Sequence, residues 1–529
     1  MAPVAERRSF ASDPLWRQAQ ACLVRDQIDG AREVLASLSE CGRGNGVHAH
    51  LLAAQIAWRE DRIRDGSRHA LDAAGAVPDD PEALCAVAGV LLETGEAVTA
   101  RACLDRAVLA ECENPRLLMR MAALRKRLEQ HAEALALLDK AHGLGHATAA
   151  FKFRRGEALM INGRLDEAEA ELAASLDEAP AYGRVAVPLV RVRRQTPERN
   201  HLPALERSLQ HVERGSVDHA VLEFARYKTL EDLGRDAEAW DALALANGLM
   251  RARLADRAAG HHAWLERFVS TWAAMDQTRE TGATASPSPI FIVGMARSGT
   301  TLLERMLGNH SRVAVSGELL DFGAQLHWMA DTRDGEALLA RLDAIDYREL
   351  GRRYLAQTQW RAHGKPFFID KQPPNWMLAG AIHAALPNAP ILNLVRDPMD
   401  TCFSNWRAYF GDNCDYSYDL AALAGYFNDY RHTMARWQRI MPGVFLDVSY
   451  AELVREPEAT LRKVFAFCGL EWEPGCADIT RNAAPSATLS AAQVRTALHG
   501  RFGEWRRYET QLAGLAAALG QGHPGEQLA

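Results

Sequence analysis

The sequence predicts a multi-domain chain in which an all-α repeat array precedes an α/β domain with a central parallel sheet. Residues from about 15 to 255 are rich in Ala, Leu and Arg and show helical periodicity with little strand signal. After residue 288, short apolar runs alternate with helical patterns, as they do in parallel α/β sheets. A length of 529 residues agrees with more than one domain.

A 34-residue period runs through the first half of the chain. It links two sets of positions, Ala100, Ala134 and Ala168, and Leu104, Leu138 and Leu172. A small residue repeated at this step, where two helices cross, is typical of tetratricopeptide repeats. Such repeats stack into a superhelix whose concave groove often holds an extended peptide. The alternative is an array without a ligand, which serves either as a spacer or as the dimerisation scaffold of a homodimer.

A connecting segment is expected between the two halves of the chain. We expect the tetratricopeptide array to occupy residues 15–255. An amphipathic pattern at His261–Met275, followed by a run rich in Ser, Thr, Pro and Gly, predicts a connecting helix and linker at residues 256–287. The α/β domain is then expected at residues 288–515.

Charge and cysteine usage exclude several classes of function. The net charge of −7 carries no polybasic signature, so we expect no nucleic-acid partner. The start of the chain has no apolar core of signal-peptide length, and no run is long enough to span a bilayer. The nine cysteines are scattered, without zinc-site spacing, and the histidines of the array stand singly. These features predict a cytoplasmic protein with reduced thiols, no membrane partner and no metal.

A phosphate-binding loop opens the second half. The apolar run Ile290–Val293 predicts a buried strand, and a helical pattern follows a glycine-bounded turn. The turn has the spacing of a Walker A loop, Gly294-x-x-x-x-Gly299-Thr300-Thr301. The lysine that would reach the β- and γ-phosphates is replaced by Thr300, while Arg297 supplies a cation within the loop. This loss disfavours phosphoryl transfer from a nucleoside triphosphate.

The loop sequence Gly-x-x-Arg-Ser-Gly-Thr-Thr-Leu after a strand resembles the 5′-phosphosulfate loop of sulfotransferases that use 3′-phosphoadenosine 5′-phosphosulfate (PAPS). It is most similar to the branch that contains the tyrosylprotein sulfotransferases and their bacterial relatives fused to tetratricopeptide repeats. The resemblance covers about residues 288–510. It implies PAPS as co-substrate, bound in the loop by Arg297, Ser298, Gly299, Thr300 and Thr301.

Two further strands are expected to carry the catalytic groups. A second strand within His310–Glu318 is predicted to end at Glu318, at the carboxyl edge where ligands bind in open α/β sheets. The resemblance places Glu318 on the family's catalytic base, which takes the proton of the acceptor hydroxyl. A third strand is predicted to deliver Lys371, within the motif Asp-Lys-x-Pro-x-Asn. The resemblance implies that Lys371, with Arg297, stabilises the charge that builds on the leaving phosphate.

A second phosphate motif follows the fourth predicted strand. Ala389–Val395 runs directly into Arg396, and Ser404 lies eight residues further on. The resemblance implies that Arg396 and Ser404 bind the 3′-phosphate of PAPS, the arginine as a bidentate donor. Arg407 is a further candidate, although the family's basic residue lies one place later, where this chain has Ala408.

The remaining nucleotide contacts are expected after the fifth strand. The resemblance places Tyr450 near the nucleotide and Ser490 in a loop that closes over PAPS. This chain departs from the family where Glu504 occupies a position that is usually basic. The compensating cation is then one of Arg501, Arg506 and Arg507, or closure over the nucleotide is weaker.

Together these patterns predict a PAPS-dependent sulfotransferase that moves the sulfuryl group to a hydroxyl or phenol by an in-line mechanism without a metal. The acceptor stays open among a peptide tyrosine held by the repeat groove, a carbohydrate hydroxyl and a small phenol. One alternative is a P-loop kinase. The other is a tetratricopeptide-based protein-binding scaffold with an inactive nucleotide-binding domain.

Overall fold

The structure, a computed structural model, describes residues 10–254, 260–274, 287–482, 484–485, 487 and 502–520. Its amino-terminal part consists of helices, most of them in antiparallel pairs. Their bounds are α1 Pro14–Val24, α2 Ile28–Glu40, α3 Val47–Arg59, α4 Ile63–Ala76, α5 Pro81–Glu93, α6 Ala97–Leu104, α7 Ala107–Ala110, α8 Pro115–Arg127, α9 His131–Gly143, α10 Ala149–Ile161, α11 Leu165–Glu178, α12 Ala186–Arg191, α13 Leu202–Leu209, α14 Val217–Asp232 and α15 Asp236–Leu254. Among all the residues that the structure describes, no helix combines the length and the apolar character that crossing a bilayer would require.

The helix boundaries repeat with the predicted 34-residue step. The first helices of four successive pairs begin at Val47, Pro81, Pro115 and Ala149, and the second helices begin at Ile63, Ala97, His131 and Leu165. The periodic alanines and leucines identified in the sequence are all buried. Two of the first helices begin with proline directly after a capping Asp or Asn, which suits a helix start because proline lacks the amide hydrogen.

Equivalent turns of the array adopt a left-handed backbone. Asp61, Gly95 and Glu129 occupy the same position between the two helices of successive pairs, with φ values of 59°, 83° and 61°. Acidic side chains rarely adopt this conformation, because the side chain then crowds the backbone. Because the turns are equivalent, Asp61, Gly95 and Glu129 lie at regular intervals along one side of the array.

The helix after the array packs into the carboxy-terminal domain. This helix, α16 His261–Ala274, matches the predicted amphipathic pattern. The indole of Trp264 donates to the carbonyl of Gly335 at 3.1 Å, and the ring of Trp272 packs edge-on against Tyr347 at 5.1 Å. The helix thus contributes to the domain's core. Most of the predicted linker lies outside the described residues.

The carboxy-terminal domain is built on a parallel sheet in the order β2-β3-β1-β4-β5. Its strands are β1 Ser288–Gly294, β2 Val313–Val315, β3 Phe367–Asp370, β4 Ile391–Val395 and β5 Phe445–Ser449. Its helices are α17 Thr300–Leu307, α18 Asp321–Ala330, α19 Gly335–Arg341, α20 Tyr347–Thr358, α21 Ala379–Ala385, α22 Pro398–Trp406, α23 Leu420–Ile440, α24 Tyr450–Arg455, α25 Pro457–Phe467 and α26 Ala513–Gly520. Because β1 is central and its neighbours lead away on both sides, the carboxyl end of β1 is the topological switch point where ligands bind.

The second strand is shorter than the sequence predicted. It ends at Val315, so Glu318 lies on the following loop rather than at the strand end. Gly317 explains the difference, because its φ of +80° turns the chain out of the extended conformation. Glu318 nevertheless remains at the carboxyl edge of the sheet.

The array and the domain share one hydrophobic core. A continuous cluster of buried side chains extends from Leu135 to Leu519. The rings of Trp240 on α15 and Trp406 on α22 lie 4.8 Å apart, and the buried amide of Asn247 donates to the carbonyl of Trp406 at 3.1 Å. The core therefore continues across the predicted domain boundary near residue 255.

Candidate active site

The phosphate loop connects β1 to α17 at the centre of the sheet. Arg297 and Gly299 both adopt positive φ, 67° and 112°, and turn the chain so that α17 begins at Thr300. A side chain at position 299 would place its Cβ 2.5 Å from the ring of Tyr450. Glycine is therefore required here for both conformation and space. The unpaired N–H groups at the start of α17 form an anion-binding concavity.

The hydroxyls of the loop are available to a ligand with many oxygens. Ser298, Thr300 and Thr301 are all buried. The Ser298 hydroxyl oxygen has no hydrogen-bond partner within the described residues. Because buried polar groups are normally hydrogen-bonded, this side chain fits a site for a phosphate or sulfate oxygen.

The second predicted phosphate motif lies directly beside the loop. Arg396 Nη1 donates to the carbonyl of Arg297 at 3.1 Å, and Arg297 Nε approaches Ser404 Oγ at 3.4 Å. The Arg396 guanidinium lies 4.6 Å from the centre of the Tyr450 ring. Burial lowers the pKa of Arg396, so a bound anion would stabilise its charge. Four of the predicted nucleotide contacts are thus brought together.

Arg407 binds carboxylates from two distant parts of the chain. It lies 2.5 Å from Glu504 and 3.2 Å from Glu231 of α14. Glu504, at the position where the resemblance implies a basic residue, therefore pairs with Arg407. The compensation by Arg501, Arg506 or Arg507 stays a prediction. Arg507 lies instead near Asp236 of the array, at 3.7 Å, and Arg506 lies over the ring of Trp505.

The segment at residues 502–508 docks on the helix that follows β4. The Gly503 amide donates to Asp400 at 2.8 Å, and the ring of Phe502 lies 5.7 Å from that of Tyr450. Two of the predicted contacts, Ser490 and Arg501, lie outside the described residues.

Lys371 is the most enclosed charged group of the site. It follows β3 directly and its side chain is 0% exposed. Its Nζ lies 2.5 Å from Glu318 and 3.8 Å from Glu304. Burial alone would lower the pKa of Lys371, but the two carboxylates outweigh it and the pKa lies above its usual value. Glu318 is 48% exposed on its side chain, so its carboxylate is open to an acceptor.

Glu304 and Asn405 were not predicted as site residues. Glu304 lies on α17, whose residues are all buried, and burial raises the pKa of its carboxyl. Asn405 donates to the carbonyl of Ala296 at 2.7 Å and so fixes the phosphate loop. The sequence carries no signal for Glu304, because Glu304 and Arg305 read as the polar face of an amphipathic helix.

Two features away from this edge were also absent from the sequence prediction. His50, His69 and Asp72, on α3 and α4, place their nitrogen and oxygen atoms within 4.8 Å of one another, so these two histidines do not stand singly. A cavity of about 570 Å³ is lined by Val98 and by residues that include Lys365. It lies at the amino end of β3, opposite to the end that carries Lys371, and is separate from the candidate active site.

The family comparison identifies the carboxy-terminal domain. Residues 289–474 match the model of the sulfotransferase family. An uncharacterised protein of Aquifex aeolicus is 29% identical over 312 residues, which cover 56% of this chain and 41% of that protein. A protein-tyrosine sulfotransferase of Drosophila melanogaster is 26% identical over 204 residues, which cover 35% of this chain and 38% of that protein.

A solved structure is also similar. Mouse sulfotransferase SULT7A1, complexed with PAP, has 16% sequence identity and a TM-score of 0.30, over 50% of this chain and 91% of that one. The chain spans less than half the length of the two curated relatives. The residues that match the sulfotransferase family model comprise the central parallel sheet and most of the helices around it, and a mostly helical region precedes them.

Proposed function

We propose that this protein transfers the sulfuryl group of PAPS to a hydroxyl or phenol of an acceptor. The observation that carries the proposal is the pair formed by the buried Lys371 and the half-exposed Glu318, 2.5 Å apart beside the phosphate loop. Sulfuryl transfer requires two groups. One is a base, here a carboxylate, that takes the proton of the acceptor, and the other is a cation that balances the charge of the leaving phosphate. The family match of residues 289–474 supports the same reaction.

The donor is assigned to the loop and to the strand ends beside it. The backbone from Ser298 to Thr301 and the Arg297 guanidinium would hold the 5′-phosphosulfate. Arg396 and Ser404 would bind the 3′-phosphate, which AMP lacks. Tyr450, against Gly299 and under Arg396, would border the nucleotide. Ser490 is proposed as a further contact on the family resemblance alone.

The transfer step balances with these groups. The acceptor oxygen forms a bond to sulfur while Glu318 takes its proton, and the bond from sulfur to the 5′-phosphate oxygen breaks. The products are a sulfate ester and 3′-phosphoadenosine 5′-phosphate (PAP). Lys371 and Arg297 offset the charge that develops on the phosphate. Because Lys371 also faces Glu304, it stays paired when Glu318 turns to the acceptor.

The acceptor and the location belong to the same proposal. A protein tyrosine is one acceptor class, supported by the distant Drosophila relative, and a peptide would then lie along the repeat groove. All nine cysteines are unpaired, which supports a reducing, cytoplasmic location. A homodimer remains among the proposed assemblies.

The proposal is tested with the full chain and labelled PAPS against a panel of hydroxyl acceptors. We expect transfer of label without added metal, and tighter binding of PAP than of AMP in calorimetry. Turnover of ATP with Mg²⁺ in place of PAPS would favour the kinase alternative. Binding of PAP without transfer to any acceptor would favour the scaffold alternative.

A further inference from the structure

Three equivalent turns of the array run along the sulfotransferase domain toward its transfer site. The carboxylate of Asp61 accepts from the amide of Arg333 at 2.6 Å. The carbonyl of Gly95 accepts from the Gln325 side chain at 2.8 Å. The contacts thus step back along the domain from one repeat to the next, and the third turn, at Glu129, reaches the residue that precedes the proposed base.

That residue is Gly317, and it touches Glu129 directly. A Cβ added at position 317 would overlap the Glu129 carboxylate oxygen Oε2. The φ of Gly317 is also +80°, a conformation that favours glycine. Glycine at this position therefore allows the turn of the backbone and leaves space for the Glu129 side chain. Glu318 follows immediately, which places a carboxylate of the array next to the transfer site.

The Glu129 carboxylate is held in a fixed position. Its Oε2 lies 3.0 Å from His131 Nε2, and His131 is only 7% exposed. The carbonyl of His131 accepts in turn from the Asn162 side chain of the next repeat at 3.0 Å. Two repeats therefore orient this carboxylate.

Three carboxylates act on the ammonium group of Lys371. Glu129 acts electrostatically on both Lys371 and Glu304, in addition to the carboxylate of Glu318. Burial raises the pKa of Glu304. Even with Glu304 protonated, the carboxylates of Glu129 and Glu318 face one ammonium group. Arg305, the other cation of α17, donates to the carbonyl of Ala484 at 2.9 Å and acts electrostatically on Glu304.

An exposed apolar side chain lies close to Glu318 in the sequence. Leu320 lies two residues after Glu318 and is 71% exposed. Leu320 offers an apolar contact to the ring of an aromatic acceptor whose hydroxyl reaches Glu318.

We propose that Glu129 is a specificity-determining residue of the acceptor site, and that the preferred acceptor is an aromatic hydroxyl compound bearing a cationic group. The inference rests on the proposed sulfuryl transfer and adds the class of acceptor. The array is then one wall of the acceptor site, and its fixed carboxylate attracts a cation and repels an anion.

The test compares three para-substituted phenols with the full chain and labelled PAPS: tyramine, which is cationic, neutral 4-ethylphenol and anionic 4-hydroxyphenylacetate. We expect kcat/KM to fall in that order. Glu129→Gln keeps the shape of the side chain and removes its charge. The ratio of kcat/KM for tyramine to that for 4-hydroxyphenylacetate should then fall about tenfold. The attraction of the cationic phenol and the repulsion of the anionic phenol each change kcat/KM by up to about fivefold, and the ratio combines the two. A ratio cancels any general loss of activity.

Two control variants separate charge from structure. Glu133→Gln removes the same charge at an exposed position in the first turn of α9, four residues after Glu129, and it should leave the ratio unchanged. Glu129→Asp keeps the charge and should retain most of the preference. Added salt should weaken the preference of the wild-type chain, because salt screens exposed charges.

The outcomes for the two proposals differ. Turnover of all three phenols with the same ratio in wild type and Glu129→Gln would overturn the acceptor inference and leave sulfuryl transfer standing. Transfer to carbohydrate hydroxyls but to none of the phenols would also overturn the inference. Failure to transfer label from PAPS to any hydroxyl would overturn the proposed function itself, and the inference with it.

Discussion

The two ends of the candidate active site hold their cations differently. At the proposed 3′-phosphate end, Arg407 lies between two largely buried carboxylates, Glu231 at 10% and Glu504 at 25% side-chain exposure. At the transfer end, Lys371 has one buried partner and one partner, Glu318, that is 48% exposed. An enclosed ion pair is costly to separate, whereas an accessible carboxylate can exchange its partner for a substrate. We therefore expect Arg407 to hold structure together and Lys371 to work in the reaction.

The largest expected effect is that of Glu318→Gln. A phenol with a pKa near 10 is almost wholly protonated at neutral pH, so it needs a base to attack sulfur. We expect PAP to bind normally and the rate of transfer to fall by about 10²–10⁴. Single-turnover assays with labelled PAPS would measure this, and the loss should shrink for acceptors already ionised at the assay pH. Wild-type turnover on a weakly acidic phenol would show that Glu318 is not the base.

Lys371→Ala should follow, with a loss of about 10²–10³ in turnover, because its charge matters most as the leaving phosphate forms. The affinity for PAP should change far less. A melting curve is needed alongside, since the variant leaves Glu304 without its buried cation. Adding Glu304→Gln removes the orphaned charge and should restore stability but not turnover. A variant that loses PAP binding yet keeps its turnover would contradict the catalytic role.

Arg396→Ala tests the 3′-phosphate end. A charge-assisted contact to a phosphate contributes about 1.5–3 kcal/mol, so PAP should bind about 10–150-fold more weakly. Binding of AMP should change little, because AMP has no 3′-phosphate. Calorimetry with both nucleotides makes the comparison. An equal loss for PAP and AMP would place Arg396 elsewhere on the nucleotide.

Glu231→Gln should affect stability rather than specificity. It weakens the pair with Arg407 inside the interface of the array and the domain, which should lower the free energy of unfolding by about 1–3 kcal/mol. The ratio of PAP to AMP affinity should stay as in the wild type. Glu238→Gln, at an exposed position on α15, is the matched control. A changed nucleotide preference would mean that Arg407 contacts the 3′-phosphate after all.

The last prediction concerns pH and Asp370, the residue before Lys371. Burial raises the pKa of its carboxyl to about 8, and the Tyr354 hydroxyl donates to it at 2.7 Å. A raised pKa means that the folded state retains the proton, so this contribution to stability is complete at low pH and is lost as the pH rises through about 8. In thermal melts between pH 5 and pH 9, the Tm of Asp370→Asn should fall less with rising pH than the Tm of the wild type. The amide does not titrate, and its oxygen can accept the same hydrogen bond from Tyr354. Parallel melting curves of the two proteins would contradict the assignment.

The residues that could be predicted from the sequence stand at the ends of local patterns. Arg297 follows an apolar run and a glycine, and Lys371 and Arg396 each follow a buried strand, so local rules place them at one edge. Glu318 was expected at the end of its strand, but the left-handed Gly317 moves it onto a loop.

The residues that could not be predicted come from distant parts of the chain. Glu129 and Glu231 lie on the array and resemble solvent-facing carboxylates, because only the packing of two regions brings them to the site. Glu304 looks like a polar position on an amphipathic helix until the neighbouring segments cover it. Local sequence determined the strand ends, whereas the carboxylates that surround the cations depend on long-range contacts.

The periodic turns have a consequence for how this protein can change in length. Repeats are readily duplicated or lost in evolution, and a whole repeat added before the first helix pair would leave every contact below it in place. A repeat inserted after Glu129 would instead displace Asp61, Gly95 and Glu129 together by one unit along the domain, away from Arg333, Gln325 and Gly317. Relatives that keep this docking should therefore vary in the number of repeats at the amino end, and hold constant the number between Glu129 and the first strand of the sheet.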